Sequence, residues 1–199
     1  QLLIYASPIH RLVSKIRIAL IKNDKNARRK ISDLPEKYKT DSSLVLDELR
    51  WLRVKGEYDL GLSLLKKSPI VHQTGSKWWT ERFFLIRQML NKESNKDAYE
   101  LAKNHAGLSD VDYADAEWMA GWIALRKLKR TDEAMEHFQN MLKNVKSPIS
   151  IAKGEYWIAR TFEIKKNLYI HILIDIALGM TSDTRNKWLN ENLFINASY

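Results

Sequence analysis

Small residues spaced along a helix with large rings set among them leave few folds open, and the run YADAEWMAGWIALR from Tyr113 to Arg126 has that character. Read as a helix, it puts Trp118 and Trp122 on one face and lines that face with Ala116, Ala120, Gly121 and Ala124. Small side chains let neighbouring backbones approach, and indoles fill the gaps between them. Such a segment needs other helices on several sides. The composition agrees: 7 glycines and 4 prolines in 199 residues are too few for the turns of a sandwich or barrel. The chain reads as all-α.

A repeat runs through it. Four segments share one plan, an apolar helix end, a short polar turn and a second helix with apolar residues at i and i+4. They are Ile18 to Ile31, Leu49 to Leu65, Leu85 to Ala102 and Ile123 to Phe138. Taking Ala27, Leu60, Ala98 and Ala134 as equivalent small or apolar positions gives steps of 33, 38 and 36 residues. A helix–turn–helix unit of about 34 residues has the tetratricopeptide (TPR) spacing. One such pair cannot bury both its apolar faces, so the pattern predicts a right-handed α-solenoid of TPR-like helix pairs. Pro35, Pro69 and Pro148 fall in the polar connections.

A fifth pair is expected from Ile149, with Ile151, Tyr156, Trp157, Ala159 and Phe162 as apolar positions and Gly154 inside the helix at a cost of about 1 kcal/mol. After Lys166 the plan fails. The division that follows is a repeat domain over residues 1–167 and a divergent tail over 168–199, with a truncated or disrupted reading frame as its expected origin. The longest apolar run, Leu168 to Met180, is broken by His171 and Asp175 and falls short of the roughly 20 residues that span a bilayer. A soluble protein is expected. A signal peptide would have to precede Gln1.

Candidate chemistry is sparse. Cysteine is absent, and no phosphate loop, GxSxG or HExxH is present. The histidines His10, His72, His105, His137 and His171 stand singly, so no metal or cofactor site is assigned and no catalytic residue is named. His137 is expected to be a packed or surface residue, and His105 to sit at a helix C-terminus facing its carbonyls. The acid pairs Asp115 with Glu117 and Asp132 with Glu133 read as helix-start residues favoured by the macrodipole. Trp51, Trp118, Trp122 and Trp157 are expected in the core. Trp78 and Trp79 point about 100° apart, which leaves one of them to reach a binding groove.

The net charge of +9 is uneven. Arg11, Lys15, Arg17, Lys22, Lys25, Arg28, Arg29, Lys30, Lys37 and Lys39 are opposed before position 40 only by Asp24, Asp33 and Glu36. A basic surface attracts polyanions without choosing among them. A nucleic-acid binder has this stretch as its sole support. A TPR-like protein interaction module is the stronger alternative, with a concave face whose cations clamp carboxylates and with Lys55, Lys92, Lys127 and Lys129 in its turns.

From Leu49 to Asn167 the order of segments is more particular: RWLRVKGEYDLGLSLL, KWWTERFFLIRQML, AYELAKNHAGL, YADAEWMAGWIALR, HFQNMLKNV, SPIS and YWIAR. The series resembles the superhelical, non-catalytic U/L-type region of soluble lytic murein transglycosylases. The resemblance implies a periplasmic scaffold for an enzyme that cleaves peptidoglycan between N-acetylmuramic acid and N-acetylglucosamine with formation of 1,6-anhydromuramic acid. It implies glycan strands and cell-wall proteins as partners, no nucleic acid and no cofactor. In that family a separate lysozyme-like domain carries the catalytic glutamate in a Glu-Ser motif. Glu93 and Ser94 occupy a repeat turn without the family's surrounding residues, so that role is not transferred to Glu93.

Overall fold

The computed structural model describes residues 7–68 and 73–178; Pro69, His72, Trp188 and the tail from 179 to 199 lie outside the described residues. Among the described residues the chain is all-α, with helices α1 (Pro8–Ile21), α2 (Ala27–Ser32), α3 (Glu36–Lys39), α4 (Ser42–Lys55), α5 (Tyr58–Lys67), α6 (Ser76–Asn91), α7 (Asn95–Lys103), α8 (Asp110–Arg126), α9 (Thr131–Asn144) and α10 (Pro148–Leu178). A bridge joins Thr74 to Ala106 in the connections that precede α6 and α8. No helix of the described residues is long and apolar enough to cross a membrane.

One turn recurs in every helix pair. Asn23, Gly56, Glu93 and Lys129 all adopt positive φ, at 58°, 74°, 58° and 58°. In three of the turns the next residue donates its N–H to the carbonyl five residues back: Asp24 to Ala19 at 3.0 Å, Glu57 to Leu52 at 2.9 Å and Ser94 to Met89 at 2.8 Å. This closure satisfies carbonyls at the helix end that would otherwise lack partners. Glycine adopts the left-handed conformation without penalty, so only the Gly56 turn is conspicuous in the sequence.

Four or five residues past each turn lies a small buried residue, and these are Ala27, Gly61, Ala98 and Ala134. The equivalence with Leu60 is therefore off by one. Leu60 is 38% exposed, while a Cβ at Gly61 would lie 3.4 Å from Leu49 and Leu85.

The packing follows chain order. First helices of successive pairs lie side by side, α1 on α4, α4 on α6, α6 on α8 and α8 on α10, and the second helices α2, α5, α7 and α9 pack against them. Two apolar clusters result. The smaller holds Val13, Ile16, Leu20, Ala27, Ile31, Leu34 and Leu44; the larger runs from Val45 to Phe138.

Inside the larger cluster α8 is enclosed on several sides. Ala116, Ala120, Ile123 and Ala124 are fully buried. Trp118 and Trp122 are only half-buried and do not share the alanine face, since each stands two residues, about 200° of rotation, from Ala120. A Cβ on Gly121 would come within 2.6 Å of the Phe138 ring, and one on Gly154 within 2.5 Å of Leu142. Those two glycines let α9 approach α8 and α10. Phe138 stacks on Trp157 at 5.8 Å, and Trp118 meets the same indole edge-on at 6.3 Å.

Trp78 and Trp79 are both buried, contrary to the expectation that one reaches a groove. Helix α6 has α4, α5, α7 and α8 around it, so two directions about 100° apart both end in core. On α10, Trp157, Ile158 and Ile164 pack inward, whereas Tyr156 and Phe162 are exposed. No second helix turns back to cover them within the described residues, and α10 passes Asn167 without a break.

Candidate functional site

Titratable side chains converge most closely where α7, α8 and α9 meet. Glu117, on the second turn of α8, is buried; its Oε1 lies 3.1 Å from His105 Nε2 and its Oε2 lies 2.7 Å from His137 Nδ1. An ionised carboxylate only accepts, so those two ring nitrogens carry the hydrogens. Tyr99 Oη sits 3.0 Å from the far nitrogen of His137, and the Tyr113 ring meets His105 edge-on at 5.1 Å. Burial alone pushes the Glu117 carboxyl up, but the paired imidazoles outweigh it and hold the carboxyl down at about 2. Burial raises the Tyr99 hydroxyl, with the Glu133 carboxylate adding to the rise.

This cluster corrects three expectations. Glu117 is not a helix-start acid, because α8 begins at Asp110, and Asp115 likewise lies inside the helix. His105 stands two residues past α7 and turns to Glu117 rather than to the helix-end carbonyls. His137 is packed, as expected of it, and has a specific ionic partner. Its separation from Glu117 by 20 residues hid the pair from sequence reading. Asp132 and Glu133 do occupy the first turn of α9, and Glu93 and Ser94 do form a repeat turn. Among the described residues no group of His, Asp and Glu has the arrangement of a metal site.

A second set of charges lies along the first helices. Asp47 and Glu81 are buried, 34 positions apart on α4 and α6. Arg17 reaches from α1 to Asp47 at 2.7 Å, while Arg50 and Arg53 reach from α4 to Glu81 at 3.3 and 2.7 Å. Arg28 on α2 holds Glu48 at 3.1 Å, and both line a surface hollow of about 400 Å³ with Arg29, Ile31 and Ser32. The basic start of the chain is thus partly neutralised by acids beyond position 40. Of the turn lysines, Lys92 pairs with Asp59, whereas Lys55 and Lys127 lie over the rings of Trp51 and Trp122.

Arg82 is buried, and its hydrogen bonds among the described residues go to neutral acceptors. It donates to the Leu101 carbonyl at 3.1 Å and to the Gln73 side chain, which in turn donates to the carbonyls of Leu65 and Ser68. Burial pushes the guanidinium down to about 10, so it stays charged at neutral pH. Leu101 is near the C-terminal, electronegative end of α7, which favours a cation there. The bonds tie the ends of α5 and α7 to α6.

Together these features make an all-α protein whose polar groups join helix to helix. Compared with known proteins, the chain matches no family model, no curated protein and no solved structure.

Proposed function

We propose that the chain is a non-catalytic scaffold, a right-handed α-solenoid of TPR-like helix pairs that serves a lytic murein transglycosylase in the periplasm. One observation carries the architectural part: the same left-handed turn, at Asn23, Gly56, Glu93 and Lys129, returns in four successive pairs whose first helices lie side by side. Repetition of this kind is how solenoids grow. The murein part rests on the ordered segments from Leu49 to Asn167, with YADAEWMAGWIALR at their centre. Glycan strands and cell-wall proteins are the partners in this reading, and bond cleavage belongs to a separate lysozyme-like domain.

Glycosidic cleavage needs a carboxylic acid poised over the leaving oxygen in a cleft that fits the sugar. Glu117 is buried under two histidines with its proton held off to about 2, the opposite of a general acid. The test is incubation with purified murein sacculi. Co-sedimentation without soluble anhydro-muropeptides above a boiled control is expected. Failure to sediment ends the murein reading, and release of anhydro-muropeptides ends the non-catalytic one.

The TPR-like protein interaction module is a second reading, favoured by the arginines fixed over Asp47 and Glu81.

A further inference from the structure

The arginines along α1 and α4 are held from beneath. Arg17 uses its Nε on Asp47, Arg50 its Nε on Glu81, and Arg53 its Nε and one terminal nitrogen on Glu81. The carboxylates are 4% and 2% exposed, whereas the arginine side chains are 39%, 40% and 31% exposed. Each guanidinium therefore has an inner edge bonded to the core and outward donors left over. Three cations stand on two buried anions, so the row keeps a net positive charge.

Burying carboxylates under arginines is a poor way to gain stability, since a well-packed apolar pair of similar volume does as well or better. What the arrangement does supply is fixed position. A guanidinium already immobilised loses less freedom on binding an anion than a free side chain does.

Apolar side chains are interleaved with the row. Ile21 follows Arg17 by four residues and Val54 follows Arg50 by four, so each lies beside its arginine on the same helix face. They are 68% and 59% exposed. On α6 the position 34 residues after Arg50 is Phe84, 39% exposed, with the Arg53 guanidinium 4.5 Å over its ring. We infer that Arg17, Ile21, Arg50, Val54, Arg53 and Phe84 form a docking face for an acidic protein segment in which carboxylates alternate with apolar side chains. Charge complementarity selects the acid, and the exposed apolar residues favour a peptide over a nucleic acid, whose phosphate backbone would gain nothing from Ile21 or Val54. Three adjacent helices at 8–10 Å spacing cover roughly 20 Å, the length of about six extended residues. The inference rests on the interaction-module reading and needs only the first helices side by side; it is independent of the murein reading.

Fluorescence anisotropy tests it with a short labelled peptide of alternating glutamate and leucine, beside a glutamine–leucine peptide and a single-stranded DNA oligomer. Saturable binding of the glutamate peptide, weakened by salt, is expected. Arg50→Gln should weaken it about tenfold, the effect of one charge-assisted hydrogen bond or more. Because that change also leaves Glu81 short of a partner, Val54→Asp is the companion variant: it sets a repelling charge on the exposed surface, leaves the ion row intact and should weaken binding to a similar degree. Equal binding of the two peptides, preference for DNA, or wild-type affinity in both variants overturns the proposal. Sacculus binding bears on the separate murein reading alone.

Discussion

Where α1 meets α4 a half-exposed arginine on a buried carboxylate roofs a small apolar cluster; where α8 meets α9 a glycine packs against a large ring, with the buried Glu117–His137 pair beside them. The first contact sits on a small apolar cluster and is bridged by Arg17 with Asp47, while Arg28 of α2 reaches Glu48 on the same helix. The second brings Gly121 against Phe138, with Ala120, Ala124 and Ala134 fully buried around them. Close approach of backbones needs small residues, and it removes more apolar surface from water per side chain than a pair of arginines leaning over acids can. The difference teaches that one helix-pair plan tolerates two kinds of joint. The ionic joint leaves polar edges at the surface and suits recognition, and the packed joint gives rigidity.

The largest expected effect tests the packed joint. Phe138→Ala should cost about 3–5 kcal/mol. Replacing Arg17 and Asp47 together by Met and Leu should change stability by less than about 1 kcal/mol or improve it, because a buried ion pair seldom beats an apolar one. Urea midpoints decide. Comparable losses in the two variants would erase the distinction between the joints.

Next comes acid. Glu117 has its folded value held at about 2 against an ordinary 4.5. A depressed carboxyl contributes fully above the ordinary value and loses its contribution as pH falls through the folded one. Stability on the order of 2–3 kcal/mol should therefore fade between about pH 4.5 and 2. Glu117→Gln should remove this slope when denaturation midpoints are followed against pH. A parallel decline in both proteins would show that the Glu117 cluster is not what acid breaks.

Overpacking sharpens the comparison further. Ala120→Leu should cost about 1–3 kcal/mol and Lys127→Ala less than about 0.5 kcal/mol. Matching thermal midpoints would mean that the buried face of α8 is wrongly placed.

The smallest effect concerns the turns. Glu93 adopts φ 58°, where a residue bearing a Cβ costs about 1 kcal/mol. Glu93→Gly should relieve most of that, and Gly56→Ala should lose a similar amount at φ 74°. An unchanged or lower melting temperature for Glu93→Gly would count against the shared turn geometry.

The all-helical character and the approximate places of the four turns between Ile18 and Phe138 could be read from the sequence, because they depend on residues within four or five positions of each other. The fifth pair expected from Ile149 is instead one unbroken helix, α10. The spacing of Ala98 and Ala134 and the small residues of α8 are local signals of that sort. The spacing points to Leu60 rather than Gly61 because a single-residue shift in phase leaves the pattern of apolar residues almost unchanged, and only the neighbours Leu49 and Leu85 show that Gly61 faces inward. The burial of both Trp78 and Trp79 is hidden for the opposite reason: periodicity gives the angle between two side chains but not how many helices surround them.

The chain by itself determined that it folds as helices broken at regular intervals, since 3.6-residue periodicity and scarce glycine and proline act locally. Tertiary structure alone decided that Glu117 would meet His105 and His137, that Asp47 and Glu81 would be roofed by arginines, and that Glu93 and Lys129 would take a conformation suited to glycine. The ion contacts join groups 12 to 31 residues apart, and the turns are imposed by the packing of the helices on either side. No local rule reaches that far, because charge and shape find their partners only after the helices have stacked.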